Sequence, residues 1–262
     1  MQIGGAYRSG ITESVISEVI AHPDEQERKA LFELFKRLLR SGNCLMPFNW
    51  IIEEQAKAYQ ADPVAYDWTR LNIRCAPAEV EISRQKFVHS ISDETRGSQR
   101  AWEKQFVQIF RDAKPAFQAI FDAETTRPSL HAVTERLLAP GGAHLAIGAG
   151  LVERATGTCP SEDETKNFVD RCPPFKALLV ALCFAQYDRC IRAEGEPSLG
   201  KAGRVDMFSA VYLAYCRVFV TNDEGQCRAL KSVAQLMGVD VSLQLYADFK
   251  ADLFGLQWTG DQ

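Results

Sequence analysis

Asp206 and Asp223 are the residues of this chain whose type and spacing could do chemistry together. Between them runs an apolar stretch of helix length, then Val218-Phe219-Val220, and then Thr221-Asn222. Phe208, Val211, Tyr212 and Tyr215 recur at three- and four-residue spacing, which predicts a helix starting near Asp206. Val218-Phe219-Val220 has the composition of a parallel strand buried on both faces. Such a strand presents Thr221, Asn222 and Asp223 at its carboxyl end, the edge where open α/β sheets hold ligands. An acid opening the preceding helix can reach the same edge. Two carboxylates there suit a hard divalent cation such as Mg²⁺.

Asp206, its helix and Phe219-Val220-Thr221-Asn222-Asp223 resemble the C-terminal half of a PIN-like domain, the fold of many metal-dependent ribonucleases. A weaker echo covers residues 44–59. The resemblance implies a three-layer α/β fold around a central parallel sheet, here interrupted by a large, mostly helical insertion. It also implies Mg²⁺ or Mn²⁺ as cofactor, single-stranded RNA as substrate, and cleavage by water activated on the metal. Asp206 and Asp223 then correspond to two of the family's acids, with Thr221 and Asn222 beside the substrate. A further acid, normally Glu on the helix after the second strand, falls on Glu53 or Glu54. The family's first acid ends the first strand; if Ile3 ends that strand here, Gly4-Gly5-Ala6 stands in its place. Either the acid is replaced or a first strand precedes Met1. A run akin to Tyr212-Leu213-Ala214-Tyr215-Cys216-Arg217 ends in Asp in one subgroup, and Arg217 in its place would weaken cation binding. The alternative implied is an inactive PIN-like module that binds RNA or a protein partner, such as an antitoxin.

Composition sets the frame. A chain of 262 residues, 46% hydrophobic and 24% charged, can bury a substantial core. A net charge of −4 argues against a protein that coats nucleic acid, without excluding a local basic groove. The longest apolar run, Ala177 to Ala185, is too short to span a bilayer. With Glu13 and Glu18 interrupting the first 20 residues, no signal peptide is predicted and the cytosol is the expected compartment. The eight cysteines include no Cys-x-x-Cys pair and several lie in apolar runs, so buried thiols are expected rather than disulfides or zinc.

In chain order, helices are predicted from about Thr12 to Ala21 and again after Asp24, with Leu31, Leu34, Phe35 and Leu38 on one face. Cys44-Leu45-Met46 reads as a short strand, followed by a helix from near Trp50 to Tyr59. Trp102, Phe106, Ile109, Phe110, Ala113, Phe117, Ile120 and Phe121 keep helical spacing. Leu130 to Leu138 is a helix, and Gly141 to Gly150 reads as a glycine-rich loop, lacking the lysine of a phosphate-binding loop. Ser161 and Glu164 form a capping box, Phe175 to Ile191 is a long apolar helix, and residues 194–200 form a loop. A helix through Cys227 and Met237 ends at Gly238, and Val239 to Leu245 is the last strand. This divides the chain into 1–61 and 172–262, the halves of the core, and 62–171, the insertion. Basic residues from Arg70 to Lys114 are interleaved with acids and read as a solvated face or a phosphate-binding one. His22, His89, His131 and His144 have no partners at catalytic spacing.

Overall fold

The computed structural model describes residues 9–12, 15–16, 19, 22, 24–40, 42–76, 128–190 and 206–255, with isolated positions between 97 and 119. The chain is mixed α/β and mostly helical. It divides into two compact units, one of Met1–Ile51 with Thr69–Gln105 and the other of Ile52–Trp68 with Phe106–Gln262.

In the first unit, strand β1 (Gly10–Thr12) pairs in parallel with β2 (Asn43–Leu45), and helix α1 (Glu25–Leu39) lies between them in sequence. The expectation of helix from Thr12 is corrected, since Thr12 pairs with Leu45 and helix is seen only beyond it, at Val15, Ile16 and Val19. Ile3 and Gly4 lie outside the described residues. Asp24 caps α1, its carboxylate accepting from the amides of Gln26 and Glu27 at 2.7 and 3.0 Å. These two bonds are the main reason its pKa is lowered. The predicted apolar face is rotated slightly: Phe32 and Phe35 are buried and meet edge to face at 5.8 Å, whereas Leu34 is 47% exposed. Ile11, Ile16, Val19, Cys44 and Cys75 complete that core. Beyond β2, Leu45 forms an antiparallel bridge with Arg74.

Helix α2 (Phe48–Ala61) follows β2 and carries the chain out of the first unit. The second unit then holds a short 3₁₀ turn at Trp68–Arg70, of which Trp68 belongs to it, and helices α3 (Leu130–Leu137), α4 (Ala143–Thr156), α5 (Glu162–Arg171) and α6 (Pro173–Cys190). A 3₁₀ helix, η2 (Asp206–Tyr215), precedes β3 (Val218–Thr221), α7 (Glu224–Met237), β4 (Ser242–Leu245) and α8 (Tyr246–Gly255). Strands β3 and β4 pair in parallel, Val218 opposite Ser242 and Thr221 opposite Leu245, with α7 as the crossover. Among the described residues the strands therefore form two two-stranded parallel sheets.

Helix α6 is the centre of the second unit. It is apolar on nearly every side, with Phe175, Leu179, Val180 and Cys183 all but inaccessible, and it packs against η2, α7, α3, α4 and α5. A helix without a polar stripe is stable only when covered all round, and these five elements supply the cover. Helix α4 occupies the stretch expected to be a loop. Its Gly148 lies so near α6 that a Cβ there would stand 3.1 Å from Leu179 Cδ1. The glycine that weakens local helix propensity is what admits the neighbouring helix. Of the aromatic run between Trp102 and Phe121, only Phe117 is described, and it is buried; the other aromatics there, and the loop at 194–200, lie outside the described residues. No helix among the described residues is long and apolar enough to cross a membrane.

Candidate functional site

The sequence builds the end of β3 locally. β-branched and aromatic residues extend Val218–Thr221, and all four are half-buried rather than buried on both faces as expected. Asn222 bends the chain, and Asp223 caps α7. Asp223 Oδ1 accepts from the Gln226 amide at 2.8 Å, while its Oδ2 accepts nothing from the described residues. Thr221 Oγ1 accepts from the Asp223 amide at 3.1 Å and donates to Gln226 Oε1. Thr221, Asp223 and Gln226 thus form one hydrogen-bonded cluster at the carboxyl end of β3, with Asn222 and Asp223 exposed. The arrangement satisfies two amides that would otherwise be orphaned at the junction.

Asp206 opens η2, as expected, although the helix is 3₁₀ rather than α. Its side chain lies outside the described residues. From Met207 to Leu213 every residue is buried, which fixes the axis that Asp206 begins.

Glu53 and Glu54 are both half-buried on α2, on flanks of its buried face of Ile51, Ile52, Gln55, Ala56 and Tyr59. Glu54 Oε1 pairs with Lys57 Nζ at 2.8 Å, and this bond is the main reason the Lys57 pKa is raised. Glu53 makes no such pair among the described residues. About half of each side chain is accessible, so the pair is a surface ion pair of small energetic consequence.

No family model, curated protein or solved structure matches this chain.

What α2 contributes instead is a buried amide. Gln55 is 1% exposed; its Nε2 donates to Tyr215 Oη at 3.0 Å and to the Trp68 carbonyl at 2.8 Å, and its Oε1 accepts from Tyr66 Oη at 2.7 Å. Burial raises the pKa of both tyrosines, so both hydroxyls remain neutral, Tyr66 as the donor and Tyr215 as the acceptor of its bond to Gln55. Arg171, at the end of α5, donates to the carbonyls of Pro63, Val64 and Tyr66 and lies over the rings of Tyr59 and Tyr66. Tyr59 and Tyr66 meet each other and Phe168, and Phe168 meets Phe175, edge to face or tilted with ring centroids 4.7–5.8 Å apart. This network ties α2 to the last residue of η2, three positions before β3 begins. Sequence reasoning missed it, because its members are scattered from Gln55 to Tyr215 with no spacing to mark them.

The described acids do not by themselves make a metal centre. Among the described residues no group of three His, Cys, Asp or Glu is placed to hold an ion. Asp223 gives one oxygen to its cap and Glu54 is paired with Lys57. Elsewhere, His22 Nε2 lies 2.9 Å from Glu27 and His131 Nε2 lies 3.4 Å from Glu135, both near the surface; His89 lies outside the described residues. His144 is different: it is 1% exposed in α4, neither ring nitrogen has a partner among the described residues, and burial lowers its pKa to about 4.

Proposed function

We propose that the chain is a PIN-like module that binds single-stranded RNA at the carboxyl end of β3 and has lost most or all cleavage activity. The observation that carries this reading is the β3–α7 junction. A parallel strand ends in Thr221-Asn222-Asp223 and passes directly into a capped helix, the edge where α/β proteins hold ligands. Support for a PIN-like fold comes from two parallel strand–helix–strand segments, each with a capped crossover helix. Support for weakened metal chemistry comes from the described acids: Asp223 gives one carboxylate oxygen to its cap, and Glu54 is held in an ion pair with Lys57. The resemblance asks for an acid after the first strand, and in sequence the residue that follows β1 is Glu13.

The second reading, an active Mg²⁺- or Mn²⁺-dependent endoribonuclease, depends on Asp206. Fluorescence anisotropy of a labelled single-stranded RNA, with and without Mn²⁺, and a gel assay on the same samples separate the two. The expected result is salt-sensitive binding that needs no metal, with the RNA intact. Mn²⁺-dependent cleavage abolished by Asp206→Asn would replace the binding module with the nuclease. No RNA binding under any condition would remove both.

A further inference from the structure

Cys44 and Cys75 stand directly across from one another in the first unit. The Met46 amide donates to the Ile73 carbonyl and the Cys75 amide to the Cys44 carbonyl, both at 2.7 Å, and these two bonds bracket the antiparallel bridge between Leu45 and Arg74. That register makes Cys44 and Cys75 the next opposed pair. Opposed residues of an antiparallel pair point to the same face, with Cα atoms about 4.5–5.5 Å apart. Disulfides span Cα separations of about 4.4–6.8 Å. Both belong to one apolar cluster, Cys44 at 0% exposure and Cys75 at 8%.

The position of the pair gives it consequence. The chain leaves the first unit after Ile51 and re-enters it at Thr69. Cys44 lies shortly before that departure and Cys75 shortly after the return. A bond between them closes a loop of about 30 residues that holds all of α2, its Glu53 and Glu54, and the Gln55–Tyr66 hydrogen bond.

We infer that Cys44 and Cys75 are a redox-sensitive pair that closes into an intrachain disulfide under peroxide and staples the root of the 52–68 excursion. This stands independently of the RNA-binding reading. Cys75, the more accessible sulfur, attacks the peroxide as its thiolate, giving a sulfenic acid and hydroxide. The Cys44 sulfur then attacks the sulfenic sulfur; the S–S bond forms, and the hydroxyl leaves as water with the Cys44 proton. Each sulfur gives up one electron, and the peroxide takes both.

The experiment treats the full chain with hydrogen peroxide, raised until the exposed thiol of Cys159 is consumed. Thiols are then alkylated and non-reduced peptides are read by mass spectrometry. The expected result is a Cys44–Cys75 linked peptide in monomeric protein, with a melting midpoint raised on the order of 5 °C and returned by dithiothreitol. Cys75→Ser and Cys75→Ala, both near the edge of the cluster, should fold and lose the link and the shift together. Cys44 and Cys75 recovered as thiols while Cys159 is oxidised would overturn the inference. So would a linked peptide in protein whose midpoint does not rise.

Discussion

The segments β1-α1-β2 and β3-α7-β4 are the same motif supported in two ways. Each has two short parallel strands and a crossover helix of 15 or 14 residues capped by an aspartate. In the first, the cap comes well after the strand: Thr12 ends β1 and Asp24 caps α1, twelve positions later. In the second, Thr221 ends β3 and Asp223 caps α7, two positions later. The same chemistry therefore sits away from the strand in one case and at its carboxyl edge in the other. The surroundings differ too. The first segment leans on a small apolar cluster, whereas the second belongs to a unit whose interior holds a glutamine, two tyrosine hydroxyls and a histidine. A motif alone does not make a site; the length of the connection and the polarity of its support decide what it can do.

The largest effects should come from attacking each support where it is strongest. Phe32 is fully buried in the first cluster, and Phe32→Ala should cost about 3–5 kcal/mol in denaturant unfolding. Gln55→Ala should cost about 2–4 kcal/mol in the second unit, because the hydroxyls of Tyr66 and Tyr215 and the Trp68 carbonyl lose a buried partner. If Gln55→Leu, which fills the same space, were as stable as the wild type, the polar network would be incidental to stability.

Histidine sharpens the contrast through pH. The pKa of His144 is lowered to about 4 in the fold, below an unfolded value of about 6.5, so the unfolded chain binds its proton first. Its contribution is fully present above about pH 6.5 and is lost as pH falls towards 4, a change of up to about 3 kcal/mol. Asp24, also with a lowered pKa, adds an acid-side loss in the first unit, at pH values between its lowered pKa and its unfolded value near 3.8. Chemical denaturation from pH 7 to 4 should show a slope that His144→Leu flattens. A variant retaining the full slope would place the proton elsewhere.

What could be read in the sequence follows from how local each determinant is. The capping box at Ser161 and Glu164 is complete, with each side chain bonded to the other's backbone, and Gly238 ends α7 in the left-handed conformation. Both are decided within four residues. Strand β3 was legible from three side chains, and the apolar helix through Phe175 from its length. Helix α4 was not, because its glycines argue for a loop locally, whereas Gly148 serves the close approach of Leu179 and Phe175. β1 was hidden by brevity: three residues beginning with glycine carry no period. Of the site, Asp206 and Asp223 could be named from their order around a helix and a strand. That Asp223 spends one oxygen on Gln226, and Glu54 its charge on Lys57, depends on side-chain geometry that no spacing reports.

The two caps give the finest test, because capping and ligand binding respond differently to the same pair of substitutions. Asparagine caps a helix about as well as aspartate, and alanine does not. Asp24→Ala and Asp223→Ala should each lower stability by about 1 kcal/mol, while Asp24→Asn and Asp223→Asn should stay within a few tenths of wild type. Single-stranded RNA affinity should be unmoved by either change at Asp24, whose cap lies twelve residues from its strand. At Asp223 the asparagine variant should bind RNA more tightly, since removing a negative charge from the strand edge lessens repulsion of phosphate without disturbing the junction. A metal-dependent site predicts the opposite sign: Asp223→Asn would weaken binding in Mn²⁺ and leave it alone in chelator. Equal affinities for both asparagine variants and wild type, with and without Mn²⁺, would make Asp223 a helix cap and nothing more, and the carboxyl end of β3 would lose its claim to be the site.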